Sequence, residues 1–112
     1  MKKATVWFRA LVVGVGILAA NLFAGNYLIT ASTGWNNGMI YSVPAGAYYE
    51  WEVIVGGDGG AQILVGGGGL NVNQYAGSGQ FFADVSSTAY ADNISYQLNA
   101  FGDGYALLYV GW

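Results

Sequence analysis

The sequence predicts an all-β domain, a small antiparallel β-sandwich or jelly roll of about seven or eight short strands, preceded by an N-terminal apolar helix. Three observations predict it. Apolar and polar residues alternate with a period of two in run after run beyond Gly38. The 19 glycines fall in clusters between those runs without a fixed period. Nothing after Ile29 has the three-to-four-residue spacing of an amphipathic helix. Turn signals about every 8–14 residues favour a sandwich, with a small barrel next, over an α/β fold.

The first element is the uncharged stretch Ala10–Ile29, ALVVGVGILAANLFAGNYLI, behind the basic leader MKKATVWFR. As a helix its 20 residues would span roughly 30 Å, the thickness of a bilayer core. Residues 1–29 therefore read as a signal peptide, with cleavage after Ala24 or less favourably Ala31, or as a retained signal-anchor helix. If the segment is retained, Gly16, Ala20 and Ala24 share one helical face and suit close helix packing. Lys2, Lys3 and Arg9 are the only bases of the chain, and all precede the apolar stretch. That asymmetry places the N-terminus on the cytoplasmic side and residues 30–112 beyond the membrane, secreted or on the cell surface.

The β domain follows in order. Tyr27–Ser32 reads as a last helical turn or a first strand, and Thr33–Gly38 as a loop with a tight turn at Asn37-Gly38. Met39–Val43 is a strand closed by the Pro44-Ala45-Gly46 turn. In Ala47–Gly56, Tyr49, Trp51, Val53 and Val55 mark a core face, and Glu50 and Glu52 mark the wet one. Gly56–Gly60 reads as a hairpin loop, Ala61–Val65 as a strand, and Gly66–Gly69 as a second turn. Leu70–Tyr75 sets Leu70 and Val72 inward and Asn71 and Asn73 outward. Gln80–Val85 sets Phe81, Ala83 and Val85 on one side and Phe82 and Asp84 on the other. Asn93–Ala100 alternates throughout, Phe101–Gly104 carries an Asp-Gly hairpin signal, and Tyr105–Trp112 is apolar on both faces. A strand of the last kind is central with both faces covered, or it meets another chain.

Charge and reactive groups narrow the function. Beyond residue 29 the chain keeps all six acids and no base, so a phosphate backbone finds no partner and nucleic acid is excluded. Histidine and cysteine are absent. The common nucleophile–base pairs cannot be assembled, and the chain reads as no enzyme. For cations, the acids and amides are oxygen ligands of the type calcium takes, and Asp92, Asn93 and Asp103 across an expected last hairpin are the best constellation, otherwise explained as turn formers. No other cofactor is expected.

Aromatic residues are the remaining candidates: Trp35, Tyr48, Tyr75 and Phe82 off the expected core face, and Tyr105, Tyr109 and Trp112 on the last strand, apolar on both sides. Such rings suit a subunit interface, and where acids or amides stand beside them they equally suit stacking on a glycan. Locally, Ser42–Gly46, the Tyr48–Gly56 strand, Gly60–Val65 and the closing Tyr96–Val110 segment are similar to the small jelly-roll domains appended to secreted bacterial peptidases. That resemblance implies an accessory module for adhesion or substrate association.

The expectation is thus a non-enzymatic exported structural subunit of a cell envelope, filament or viral membrane-associated shell. It self-associates, or meets other surface proteins, through strands apolar on both sides, and its N-terminal segment engages the membrane or export machinery. The alternative is a carbohydrate-binding or adhesion module.

Overall fold

The computed structural model describes residues 26–112, which form six antiparallel strands and no helix. They are β1 (Asn26–Ala31), β2 (Gly34–Val43), β3 (Tyr48–Gly67), β4 (Leu70–Ala76), β5 (Phe81–Ser87) and β6 (Asp92–Gly111). The signal or anchor reading, with Gly16, Ala20 and Ala24, lies outside the described residues. Within them, Asn26–Ile29 belong to β1, so the β domain begins before the expected boundary at residue 30.

β3 and β6 are 20 residues each and pair with one another along most of their length. Their first and second halves have different outer neighbours. The start of β3 (Tyr48–Ile54) pairs with β5, and the end of β6 (Ala106–Gly111) pairs with β1, making a first layer in the order β1, β6, β3, β5. The end of β3 (Ala61–Gly67) pairs with β4, and the start of β6 pairs with β2, making a second layer in the order β2, β6, β3, β4. This is the strand order of a jelly roll in which two pairs of strands have fused into continuous long ones.

Glycine permits the fusion. The register slips between Val55 and Gly59, and there both chains bend from one layer into the other. Gly59 (φ +117°) and Gly102 (φ +61°) face one another in conformations that side chains rarely adopt. A Cβ on Gly104 would land on the Gly60 carbonyl oxygen. The two backbones therefore touch at the bend, and only hydrogen atoms fit between them.

The core lies between the layers. Tyr49, Trp51, Val53 and Val55 of layer one join Ile63, Val65, Ile94 and Leu98 of layer two in one buried cluster. The expected core face of β3 is thus the observed one. Leu70 and Val72 also face inward, with Leu70 buried.

Several expectations are corrected. Gly56–Gly60 and Phe101–Gly104 are passages between layers, not hairpin loops, which reduces the strand number to six. Asn37-Gly38 lies inside β2 and makes no turn. Gly38 is there because the Tyr96 ring crosses it: a Cβ would stand 2.6 Å from the Tyr96 hydroxyl. Glu52, expected in water, is 3% exposed, held between Leu107 on β6 and Ala83 on β5. Phe82, placed off the core by its pattern, packs against the main cluster, while Phe81, Ala83 and Val85 take the outward side of β5.

One clasp joins the connections at the end of layer one. Thr88 Oγ1 donates to the Pro44 carbonyl (2.8 Å) and accepts from Ala47 N–H (3.0 Å). Thr88 is 4% exposed although it lies in a polar stretch of sequence. Its hydroxyl adds a second hydrogen bond to each of two backbone groups that also bond one another, Ala47 N–H to the Pro44 carbonyl at 3.3 Å.

Candidate functional site

With the core between the layers, function falls to their two outer faces, and these differ in chemistry. On layer one the register aligns Leu28, Tyr109, Glu50 and Val85 in one row across the sheet, and Thr30, Leu107, Glu52 and Ala83 in the next. Leu107 and Tyr109 are buried here as a second cluster separate from the core, with Tyr48 and Tyr105 packed against them. The Tyr48 and Tyr109 rings lie 6.2 Å apart at 54°, and Tyr48 Oη donates to Glu50 Oε2 (3.2 Å). At the margins Leu28 and Val85 stay half exposed.

Electrostatics on this face are set by apolar cover and acids. Burial first, then the Glu50 charge, pushes the Tyr109 phenol up from its ordinary value. Burial, then Glu50 as charge and as hydrogen-bond acceptor, then Tyr109, raises Tyr48. Burial, then Glu52, raises Tyr105. Burial is the leading cause in all three, so these phenols keep their protons above the ordinary tyrosine range.

Layer two presents amides instead. Its first outward row is Trp35, Asn99, Gln62 and Tyr75; its second is Asn37, Gln97, Leu64 and Asn73; its third is Met39, Ser95, Gly66 and Asn71. Rows two and three form a shallow groove of about 520 Å³, with side-chain-free Gly66 in its floor. No charged side chain lines it. Beside it, Trp35 is 61% exposed, Tyr75 50% and Phe101 50%. The Tyr75 hydroxyl and the tip of the Phe101 ring both lie over Gly60, where a Cβ would stand 2.6 and 2.7 Å from them. Within the face, Gln62 Nε2 donates to Asn73 Oδ1 (3.4 Å) and Ser95 Oγ to the Gly66 carbonyl (3.2 Å).

The aromatic candidates are therefore divided. Trp35 and Tyr75 frame the amide face, and Tyr48, Tyr105 and Tyr109 form the layer-one cluster. Phe82 and Trp112 pack against the core, Trp112 with its ring 5.7 Å from that of Tyr27. Phe101 joins the amide face although its Asp-Gly neighbourhood suggested a turn. Asn71, Asn73, Gln97 and Asn99 were legible as outward-facing, but their alignment into rows is a property of the register.

The constellation Asp92, Asn93 and Asp103 is not brought together. All three lie on β6, and the twelve residues from Asp92 to Asp103 run on without a hairpin, roughly 36 Å along the strand. Asp92 Oδ1 accepts from Asn93 N–H (2.8 Å) and Oδ2 from Gly68 N–H (3.3 Å). Asn93 Oδ1 accepts from Ser42 N–H (3.0 Å), bracing a bulge in β2 where Ser42 has φ +59°. Among the described residues no three acids gather as a metal site.

The fold and its faces define the class: an all-β, jelly-roll-like domain. No family model matches the chain, and no curated protein matches it. Among solved structures it is similar to the C-terminal domain of a structural protein from Sulfolobus turreted icosahedral virus, at 16% identity and TM-score 0.43, over 79% of this chain and 99% of that one. A Bacillus endospore appendage protein that forms disulfide-linked pili overlaps at 13% identity and TM-score 0.42, over 78% and 84%. A carbohydrate-binding module of a Cellvibrio mixtus lichenase, solved with cellotriose, overlaps at 13% identity and TM-score 0.38, over 80% and 88%. Likenesses this distant carry no functional argument, and the strand order above rests on the pairing of the strands themselves.

Proposed function

We propose that this chain is a non-enzymatic, exported structural subunit that assembles with copies of itself or with other surface proteins. The observation that carries this reading is the second apolar cluster. Leu107 and Tyr109 are already covered within the chain, and the apolar surface left for a partner beside them is that of partly exposed Tyr48 and Tyr105 and half-exposed Leu28 and Val85. The reactive-group inventory supports the same reading, since neither histidine nor cysteine occurs in the chain.

Export rests on the leader, and β1 bears on how it is processed. A start at Gly25 leaves β1 whole, whereas a start at Ser32 deletes it. With Asn26–Ile29 in the sheet, Ala10–Gly25 offers 16 residues, roughly 24 Å as a helix and short of a bilayer core. Cleavage after Ala24 is therefore the favoured fate.

Sedimentation of the chain beginning at Gly25, at several concentrations, tests the assembly. The parent chain is expected to form multimers, and the double variant Leu28→Lys, Val85→Lys to stay monomeric. A parent monomer at every concentration sinks the proposal.

A further inference from the structure

The amide face of layer two has no part in that assembly, and its composition is not what folding requires. Asparagine is disfavoured in strands because its side chain competes for backbone hydrogen bonds. Yet Asn37, Asn71, Asn73 and Asn99 all stand on one outward face, with Gln62 and Gln97 between them. A merely solvated face is ordinarily built from threonine and charged residues. Here no charge lines the groove, and three large rings remain half exposed or more beside it.

We infer that the outer face of layer two binds a neutral oligosaccharide, with the Asn37–Gly66–Asn71 groove holding its hydroxyls and Trp35, Tyr75 and Phe101 stacking against sugar rings. The chemistry matches in kind. Each amide offers two N–H donors and a carbonyl acceptor, and each sugar hydroxyl donates one hydrogen and accepts in return, so an array of amides satisfies a polyol without net charge. The apolar faces of pyranose rings find flat aromatic surfaces at the groove's end. Phosphate, sulfate or uronate groups would find no base anywhere in residues 26–112. Four strands span about 14 Å from Trp35 to Tyr75, room for a short oligosaccharide rather than one sugar.

Gly66 supplies a clean way to close the groove. A Cβ there stands 3.5 Å from Ser95 Oγ, an ordinary contact, and the residue needs no left-handed backbone. Gly66→Leu thus fills the floor while leaving the strand intact, and Trp35→Ala removes a ring the core does not use.

Calorimetric titration of the full chain, in a detergent without a sugar head group, with neutral gluco-, manno-, galacto- and xylo-oligosaccharides and one uronate oligosaccharide tests the inference. At least one neutral member is expected to bind, with affinity unchanged by added salt. Trp35→Ala should weaken it roughly tenfold, and Gly66→Leu should abolish it while keeping the parent's urea midpoint. Silence from every neutral member, preference for the uronate, or undiminished binding by Gly66→Leu overturns the inference. Because this surface and the layer-one cluster lie on opposite sides of the molecule, neither result depends on the oligomeric state.

Discussion

Four glycine-to-alanine substitutions separate the two reasons a glycine is needed, and they test the bend between the layers directly. Gly46 has φ +81° and open space around it, so Gly46→Ala meets only the cost of a left-handed conformation, about 1–2 kcal/mol. Gly66 has neither constraint, and Gly66→Ala should be neutral or stabilise by about 0.5–1 kcal/mol, since alanine loses less entropy on folding. Gly104 is the steric case. Its backbone is ordinary, but its Cβ would land on the Gly60 carbonyl oxygen, with the Gly60 carbonyl carbon at 2.7 Å and the Phe101 oxygen at 3.0 Å. These are backbone atoms, which no rotamer can move aside. Relief requires parting β3 from β6 above the core, at a cost of about 3 kcal/mol or more. Gly59 combines both constraints, with φ +117° and its Cβ directed at the Phe101 carbonyl oxygen, and Gly59→Ala should be the most damaging. Against a total stability of roughly 5–10 kcal/mol for a domain this size, the last two variants approach unfolding. Urea denaturation followed by tryptophan fluorescence ranks the four. If Gly104→Ala proves as mild as Gly46→Ala, the strands do not touch at the bend and the continuous crossing is wrong.

Three further outcomes follow from polar groups that folding buries wholly or in part. Thr88→Val keeps the shape but removes a hydroxyl that serves Pro44 and Ala47, and should lower the unfolding free energy by about 1–3 kcal/mol; an unchanged urea midpoint would show that the clasp bears no load. Alkaline pH should destabilise the fold, because Tyr48, Tyr49, Tyr105 and Tyr109 all have phenols raised above the ordinary value of 10.0, with burial as the leading cause. The unfolded chain then releases these protons first, so stability is fully present below pH 10.0 and falls as pH rises beyond it. Tyr49 Oη and Tyr109 Oη have no hydrogen-bond partner, so Tyr49→Phe should both flatten that fall and raise neutral-pH stability by about 1 kcal/mol. A parent chain whose urea midpoint holds steady well above pH 10.0 would contradict the account.

Much of the domain was legible from alternation alone. The core face Tyr49, Trp51, Val53 and Val55, the division of Tyr105–Trp112 into two apolar sets, and the outward Asn71 and Asn73 follow from a period of two and need no neighbour to define them. The reading failed where a residue's meaning depends on its partner. Gly56–Gly60 and Phe101–Gly104 have hairpin composition, yet each lies opposite the other, and a pair of glycine-rich segments in register makes a common bend instead of two reversals. Asn37-Gly38 looks like a turn because Gly tolerates positive φ, but its glycine makes room for Tyr96. On an edge strand such as β5 the pattern leaves open which side is inward, and Phe82 takes the core because Val53 lies opposite it.

The candidate surfaces divide in the same way. Residue types named the chemistry available: rings, amides, acids and, beyond Arg9, no base. What the sequence by itself determined is that the chain beyond residue 30 is built of β-strands and that it carries there no histidine, cysteine or base, since those follow from periodicity and side-chain inventory. Only the tertiary structure decided that Trp35, Asn99, Gln62 and Tyr75 form one row, and that Asp92 and Asp103 stand far apart. Adjacency across a sheet is set by register, and the register here turns on one slip at the glycine bend, a choice made by contacts between segments some 45 residues apart in the chain.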